Sequence, residues 1–143
     1  MPAVRYETTE YVRDSCLCLA AQRTARVLAR RFDEALRPLS LTNGQFSLLM
    51  SLNRPEPASI GAVANLLAMD RTTLTAALKP LERRGLLEAK VDSKDRRGRR
   101  LVLTPAGHRV LAAALPIWKR EHARLEKPLD DADALRAGLQ ALL

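Results

Sequence analysis

Asp70-Arg-Thr-Thr-Leu-Thr-Ala-Ala-Leu-Lys-Pro-Leu-Glu-Arg-Arg-Gly85 runs into Leu86-Leu-Glu-Ala-Lys-Val91, then Asp92-Ser-Lys-Asp-Arg-Arg-Gly-Arg-Arg100, then Leu101-Val-Leu-Thr-Pro-Ala-Gly107. Asp70 can cap a helix, and Gly85 stops it. Within that helix Leu74, Ala77, Leu78 and Leu81 recur at helical spacing and form an inner stripe. Arg71, Thr72, Thr75, Ala76, Lys79 and Arg83 form the outer one. After Gly85 the hydrophobic period shortens to two, which predicts strands over 87–91 and 99–103 around a basic tip. Thr104-Pro105 then restarts helix, with threonine as cap and proline at the first helical position. A capped helix followed by a charged hairpin is the recognition half of a winged helix-turn-helix, and it points to duplex DNA as partner.

The charge distribution agrees. Of 143 residues, 24 are Lys or Arg and 16 are Asp or Glu, a net charge of +8. Residues 71–100 hold ten of the basic residues and four of the acidic ones, so this segment carries +6 of that excess. A concentrated basic patch is the footprint of a polyanion partner, although a solvated charged loop has the same composition.

The flanks read as helices. From Val12 to Leu36, Ala21, Ala25, Leu28, Phe32 and Leu36 recur at steps of three and four, and Pro38 ends the run. Residues 1–10 read as a loose arm. Thr42-Asn-Gly-Gln45 is a capping box opening a helix with Phe46, Leu49 and Leu52 inward. Arg54-Pro-Glu-Pro-Ala58 is a stiff linker, and Ser59 can cap a short helix with Ile60, Val63, Ala64 and Leu67 buried. The helix from Pro105 should reach about Lys127, with Pro116 kinking it and Pro128 ending it. Asp130 or Asp131 caps a last helix. The expected fold is a mainly α winged helix-turn-helix with a small two-stranded β-wing, ordered α-α-α-α-β-β-α-α. Aromatics make up only 3% of the chain and hydrophobics 47%, so the core must come from Leu, Ala and Val.

The residues expected at DNA divide by role. Arg71, Thr72, Thr73 and Thr75 lie near the helix N-terminus, where a helix in the major groove meets base edges. Lys79, Arg83 and Arg84 suit phosphates. At the tip, with Asp95 beside them, Arg96, Arg97 and Arg99 offer guanidinium groups to the minor groove, a strongly negative channel that one arginine is expected to enter. Asp95 and Arg97, two apart in an extended strand, are expected to share a side, so that the aspartate holds the arginine. Thr72 and Thr73 can instead serve as local caps.

Together, Leu41-Thr-Asn-Gly-Gln-Phe46, Asp70-Arg-Thr-Thr-Leu-Thr75, Leu81-Glu-Arg-Arg-Gly-Leu86, Asp92-Ser-Lys-Asp-Arg-Arg97 and Leu103-Thr-Pro-Ala-Gly107 resemble the MarR family of winged-helix regulators. The resemblance implies a single domain over 1–143. Segments 1–37 and 108–143 would serve as dimerisation helices and 40–107 as the DNA-binding lobe. It implies a homodimer, generally a repressor, on a pseudo-palindromic double-stranded DNA operator; the cytoplasmic reading comes instead from the two closely spaced cysteines and the lack of a legible secretory signal. Arg97 would enter the minor groove and Asp95 orient it. It further implies release by a small-molecule effector, aromatic or phenolic, or by oxidation of a cysteine. The chain departs from relatives at Ala76-Ala77, where a polar or basic residue is common. Alanine can touch a thymine methyl but offers no side-chain hydrogen bond to a base.

Two sensing sites are candidates. Cys16 and Cys18 lie near the start of the first predicted helix, on different faces, and Cys18 matches the reactive cysteine of the peroxide-sensing subgroup. The alternative is an effector pocket lined by Arg23, Trp118 and His122. Each also has a plainer reading, as a small buried thiol or as ordinary packing. No secretory signal or membrane span is legible, and no cofactor, metal site or catalytic constellation is expected, so the chain does not read as an enzyme. A rival from another class is a winged-helix module that docks on an acidic protein or on RNA.

Overall fold

In the computed structural model, which describes residues 3–143, the chain forms seven α-helices and a small antiparallel sheet. The order is α1 Tyr6–Ser15, α2 Leu17–Leu36, a 3-10 turn Arg37–Leu39, α3 Asn43–Ser51, β1 Ala58–Ser59, α4 Ile60–Leu67 and α5 Arg71–Arg83. β2 Leu87–Val91, β3 Arg99–Leu103, α6 Pro105–Glu126 and α7 Ala132–Gln140 follow.

The starts of α3 to α7 follow from their caps. Thr42 accepts from the Gln45 N–H at 3.1 Å, and the Gln45 side chain accepts from the Thr42 N–H at 3.1 Å, a complete capping box. Ser59, Asp70, Thr104 and Asp131 each accept from the N–H three residues on. Of the two aspartates left open by the sequence, Asp131 is the cap.

Three features differ from expectation. Residues Tyr6 to Glu10, read as part of a loose arm, are helical, while residues 1 and 2 of that arm lie outside the described residues. The helix expected from Val12 to Leu36 is broken at Cys16, which is extended (φ −76°, ψ 109°) and receives the Leu19 N–H on its sulfur at 3.4 Å. A thiol thus does the work of an N-cap at a position with neither Gly nor Pro to mark a break. The stiff linker ends in β1, which adds a third strand in the order β1-β3-β2, with Ala58 opposite Leu101 and Ser59 opposite Arg100. The expected hairpin itself is in register, Leu87 opposite Leu103 and Val91 opposite Arg99.

Every buried residue among those described lies between Leu36 and Ala114. Leu36, Leu49, Leu74, Leu81, Leu87 and Leu101 are sealed at the centre of this core, with Val63. Ile60, Leu67 and Ala77 pack at its edge, only partly buried. By contrast α1 and α7 bury no residue at all. Tyr6, Tyr11, Val12, Leu17, Leu135, Leu139 and Leu142 stand exposed along these flanks.

The α2–α3 junction carries a titratable brace. Asp33 Oδ1 accepts from the Asn43 backbone N–H at 2.6 Å and from its side-chain amide at 2.9 Å. These bonds, the backbone one foremost, hold the Asp33 carboxyl below its ordinary range. A depressed folded-state value stabilises the fold above the unfolded carboxylate value of about 3.9 and loses that contribution as pH falls through the folded value. Asp33→Asn is therefore expected to lower stability at pH 7, with the gap to wild type narrowing once the pH falls below about 3.9. Urea denaturation at the two pH values checks this, and an equal gap at both would contradict it.

Candidate nucleic-acid interface

Helix α5 is amphipathic as its spacing predicts: Leu74, Leu78 and Leu81 are buried, while Arg71, Thr72, Thr75, Ala76, Lys79 and Arg83 are exposed. Its first turn is tightly organised. Asp70 accepts from both the Thr73 N–H (2.8 Å) and the Thr73 hydroxyl (2.7 Å), bonds that hold its carboxyl below the ordinary range. The Thr73 hydroxyl proton is therefore committed to the cap. Thr75 donates its hydroxyl to the Arg71 carbonyl at 2.8 Å and keeps only acceptor capacity outward. The Arg71 guanidinium lies over Gly61 in the first turn of α4, where a β-carbon would sit 2.9 Å from its Nη2. Arg71 thus reaches back toward α4, and Thr72 points outward with no internal partner among the described residues.

Arg84 has internal partners. Read as a phosphate ligand, its guanidinium is engaged within the chain, with Nη1 donating to the Ser40 carbonyl at 2.7 Å and Nη2 to the Leu39 carbonyl at 3.2 Å. Lys79 and Arg83 form no ion pair among the described residues and remain available.

The wing is a built turn. The Gly98 N–H donates to the Asp95 carbonyl (3.0 Å) and the Asp92 N–H to the Gly98 carbonyl (3.1 Å). Asp95 and Arg97 were expected to pair through their side chains on an extended strand. Here they lie in the turn, and Asp95 Oδ1 instead accepts the Arg97 backbone N–H at 3.0 Å. A local aspartate-to-backbone bond of this kind competes successfully with an exposed ion pair. The carboxylate that does hold an arginine is Asp92. It accepts from the Lys94 N–H (2.9 Å) and from Arg100 Nε (3.0 Å), contacts that keep its pKa low. Arg100 also reaches the Pro57 carbonyl at 3.4 Å, tying the wing to the loop before β1. Arg99 folds its guanidinium onto the carbonyls of Arg96 and Gly98. Arg96 and Arg97 form no ion pair among the described residues, and both are exposed.

Neither Asp92 nor Arg100 was singled out from the sequence. The signal available was Asp92 at the end of β2 with Lys94 two residues on, the spacing of an aspartate turn.

The sensing candidates fall in three places. Cys16 is half-buried at the α1–α2 break, and Cys18 is exposed, receiving the Gln22 amide at 3.5 Å. Since Cys16 is extended rather than helical, the helical rotation expected between the two thiols does not apply. Trp118 and His122 stack at 4.6 Å between ring centroids, with Phe46 6.4 Å from Trp118 and Phe32 6.4 Å from His122. This joins α2, α3 and α6 in one aromatic cluster. Arg23 is not part of it: it lines a shallow cleft on α2 with Ala20, Thr24 and Val27. A contact the sequence did not disclose, Arg31 Nε to Glu121 Oε1 at 2.8 Å, ties α2 to α6 beside that cluster.

Among the described residues no helix is long and apolar enough to cross a membrane, and no group of His, Cys, Asp and Glu has metal-binding geometry.

Comparison with known proteins places this architecture. The MarR family signature matches residues 41–98. The DNA-bound structure of the M. tuberculosis transcriptional regulator MosR is 33% identical, covering 90% of this chain and 93% of that one, with a TM-score of 0.83. The transcriptional repressor CouR of Rhodococcus jostii RHA1, bound to a 23-mer DNA duplex, is 30% identical over 92% of this chain and 94% of its own, with a TM-score of 0.82. The organic hydroperoxide resistance transcriptional regulator of Bacillus subtilis is 26% identical over 89% of this chain and 86% of its own length. These relatives are transcriptional regulators rather than enzymes. From the family signature over the winged lobe and near-complete coverage of MosR, the chain belongs to the MarR family of winged-helix transcriptional regulators.

Proposed function

We propose that the protein is a homodimeric repressor that binds a pseudo-palindromic duplex, with α5 in the major groove and the wing 92–100 in the minor groove. The observation that carries this reading is the set of exposed, unpaired cations that α5 and the wing present: Lys79, Arg83, Lys94, Arg96 and Arg97 are among those with no ion-pair partner in the described residues. Cations left without internal partners are free to replace counterions on phosphate. Within this reading Arg71, Thr72 and Thr75 contact the groove, Lys79 and Arg83 grip the backbone, and Arg96 and Arg97 enter the minor groove. Thr73, Asp95 and Arg99 shape the elements that present them.

Dimerisation through 1–37 and 108–143, around the lobe 40–107, is supported by the exposed apolar residues of α1 and α7, which a lone subunit leaves in water. Release by a small aromatic or phenolic effector is supported by the cluster of Phe32, Phe46, Trp118 and His122, which joins the flanking helices to the lobe. MosR and CouR have been solved on DNA, and CouR also with p-coumaroyl-CoA.

The test is binding to duplexes selected from a random pool. Selected sites should contain an inverted repeat with half-sites roughly one helical turn apart, and affinity should fall steeply with salt. A phenolic carboxylate should weaken that binding and quench Trp118, the only tryptophan. Selection of sites without two-fold symmetry, or a monomer in solution, would refute the dimeric repressor. An unquenched Trp118 would refute the effector site.

A further inference from the structure

The turn that carries the chain from α2 into the winged lobe is held from two sides. Asp33 binds Asn43 on one side, as described above. On the other, the Arg84 fork donates to two consecutive carbonyls, Leu39 and Ser40. Ser40 is a non-glycine residue in the left-handed region (φ 54°), so its carbonyl is aimed by an uncommon backbone geometry. Leu36 and Leu41 flank the turn and are buried. Apolar burial sets how deeply the turn sits, but it is non-directional. A planar guanidinium with two bonds to neighbouring carbonyls adds an angle. Arg84 is the first residue after α5, so that angle is the one between the end of the recognition helix and the end of α2.

We propose that Arg84 is a specificity-determining residue for half-site spacing. By clamping the end of α5 to the end of α2, it fixes the separation and tilt with which the two recognition helices of a dimer arrive at DNA. This rests on the dimeric reading above. The reasoning is geometric. One base pair of added spacing moves a half-site by about 3.4 Å and turns it by about 35°. Helix α2 is 20 residues long, about 30 Å, and a small rotation at its lobe end displaces α5 on that scale. A lobe clamped at this joint accepts one spacing, and a lobe free to rotate there accepts several. Arg84 then contributes to selectivity without touching a base.

The experiment compares wild type, Arg84→Ala and Arg84→Lys on inverted-repeat duplexes whose half-site spacing is changed by one and two base pairs. Thermal melting and the salt dependence of binding are measured in parallel. Wild type should prefer its best spacing by about tenfold or more, a difference of about 1.4 kcal/mol. Arg84→Ala should narrow that preference to within about threefold while leaving the salt slope unchanged. Arg84→Lys keeps the charge without the fork and should narrow it too, which keeps the test open if the alanine variant melts early. A wild-type spacing profile in the folded variants overturns the proposal. So does a salt slope lowered by about two for the Arg84→Ala dimer with spacing preference intact, the signature of a phosphate contact. If wild type itself ignores inverted repeats, the dimeric reading fails and the proposal falls with it.

Discussion

Gly107→Ala is expected to lower the free energy of unfolding by about 3 kcal/mol, at the upper end for an overpacked site. Gly107 sits in the first turn of α6, buried, and its N–H donates to the capping Thr104 hydroxyl at 3.0 Å. A β-carbon there would lie well inside contact distance of the Leu86 carbonyl oxygen, 3.0 Å from the Leu86 carbonyl carbon and 3.3 Å from Leu103 Cδ2. The first two obstacles are backbone and cannot rotate away. That backbone is itself fixed, because the Leu86 carbonyl accepts from the Thr104 N–H at 3.1 Å and the Gly85 carbonyl from the Thr104 hydroxyl at 2.5 Å. The methyl group must therefore push α6 away from the α5–β2 corner, and operator binding should fall with stability. Gly138→Ala is the control: it lies in α7 with nothing within 4 Å of its β-carbon, and should gain up to about 1 kcal/mol from helix propensity alone. Denaturant midpoints at constant m-value measure both. Equal midpoints for Gly107→Ala and wild type would refute the close approach.

Removing Arg96 and Arg97 together should weaken operator binding by about 10³-fold at physiological salt. A charge-assisted bond to a buried partner contributes about 1.5–3 kcal/mol. Discounted for exposure to about 1 kcal/mol for each of four guanidinium contacts in a dimer, the loss is about 4 kcal/mol. The salt slope should fall by about 3 to 4. With the wing in the minor groove as proposed, its contacts would favour a narrow groove rather than particular base edges, and the loss should extend across operator variants. The fold should be untouched, since the turn is held by Asp92, Asp95 and Gly98 and not by these side chains. Titration of a labelled operator at several salt concentrations reads both quantities. Unchanged affinity would remove the wing from the interface.

The parts of the fold visible in the sequence are those governed by local chemistry. Thr42, Ser59, Asp70 and Thr104 announce helix starts because a cap needs only its own side chain and the N–H three residues on. The hairpin 87–103 is legible because a change of hydrophobic period is a property of the strands themselves. What was hidden depends on distant partners or on the absence of a marker. Strand β1 exists only because Ala58 and Ser59 meet Leu101 and Arg100. The break at Cys16 interrupts a run whose apolar spacing stays helical on both sides. Among the candidate DNA residues the charged positions were readable, but their allocation was not. Nothing local tells Arg84, bound to Ser40, from Arg83, left free, although they are adjacent. Likewise the pairing of Asp92 with Arg100 rather than Asp95 with Arg97 depends on how the tip turns.

Pro80 lies within α5 and has no N–H to give to the carbonyl of Ala76, one turn back. Ala76 is exposed, so water can reach that oxygen in the free protein. When the helix enters a groove, the same oxygen must find a new donor or bear the cost of desolvation. Ala76, with no side-chain hydrogen-bonding group of its own, thus carries a main-chain acceptor that has lost its usual donor four residues on. In the proposed complex a base amino group or a retained water would be that donor, so this stretch of α5 would offer DNA an acceptor where its side chains offer none.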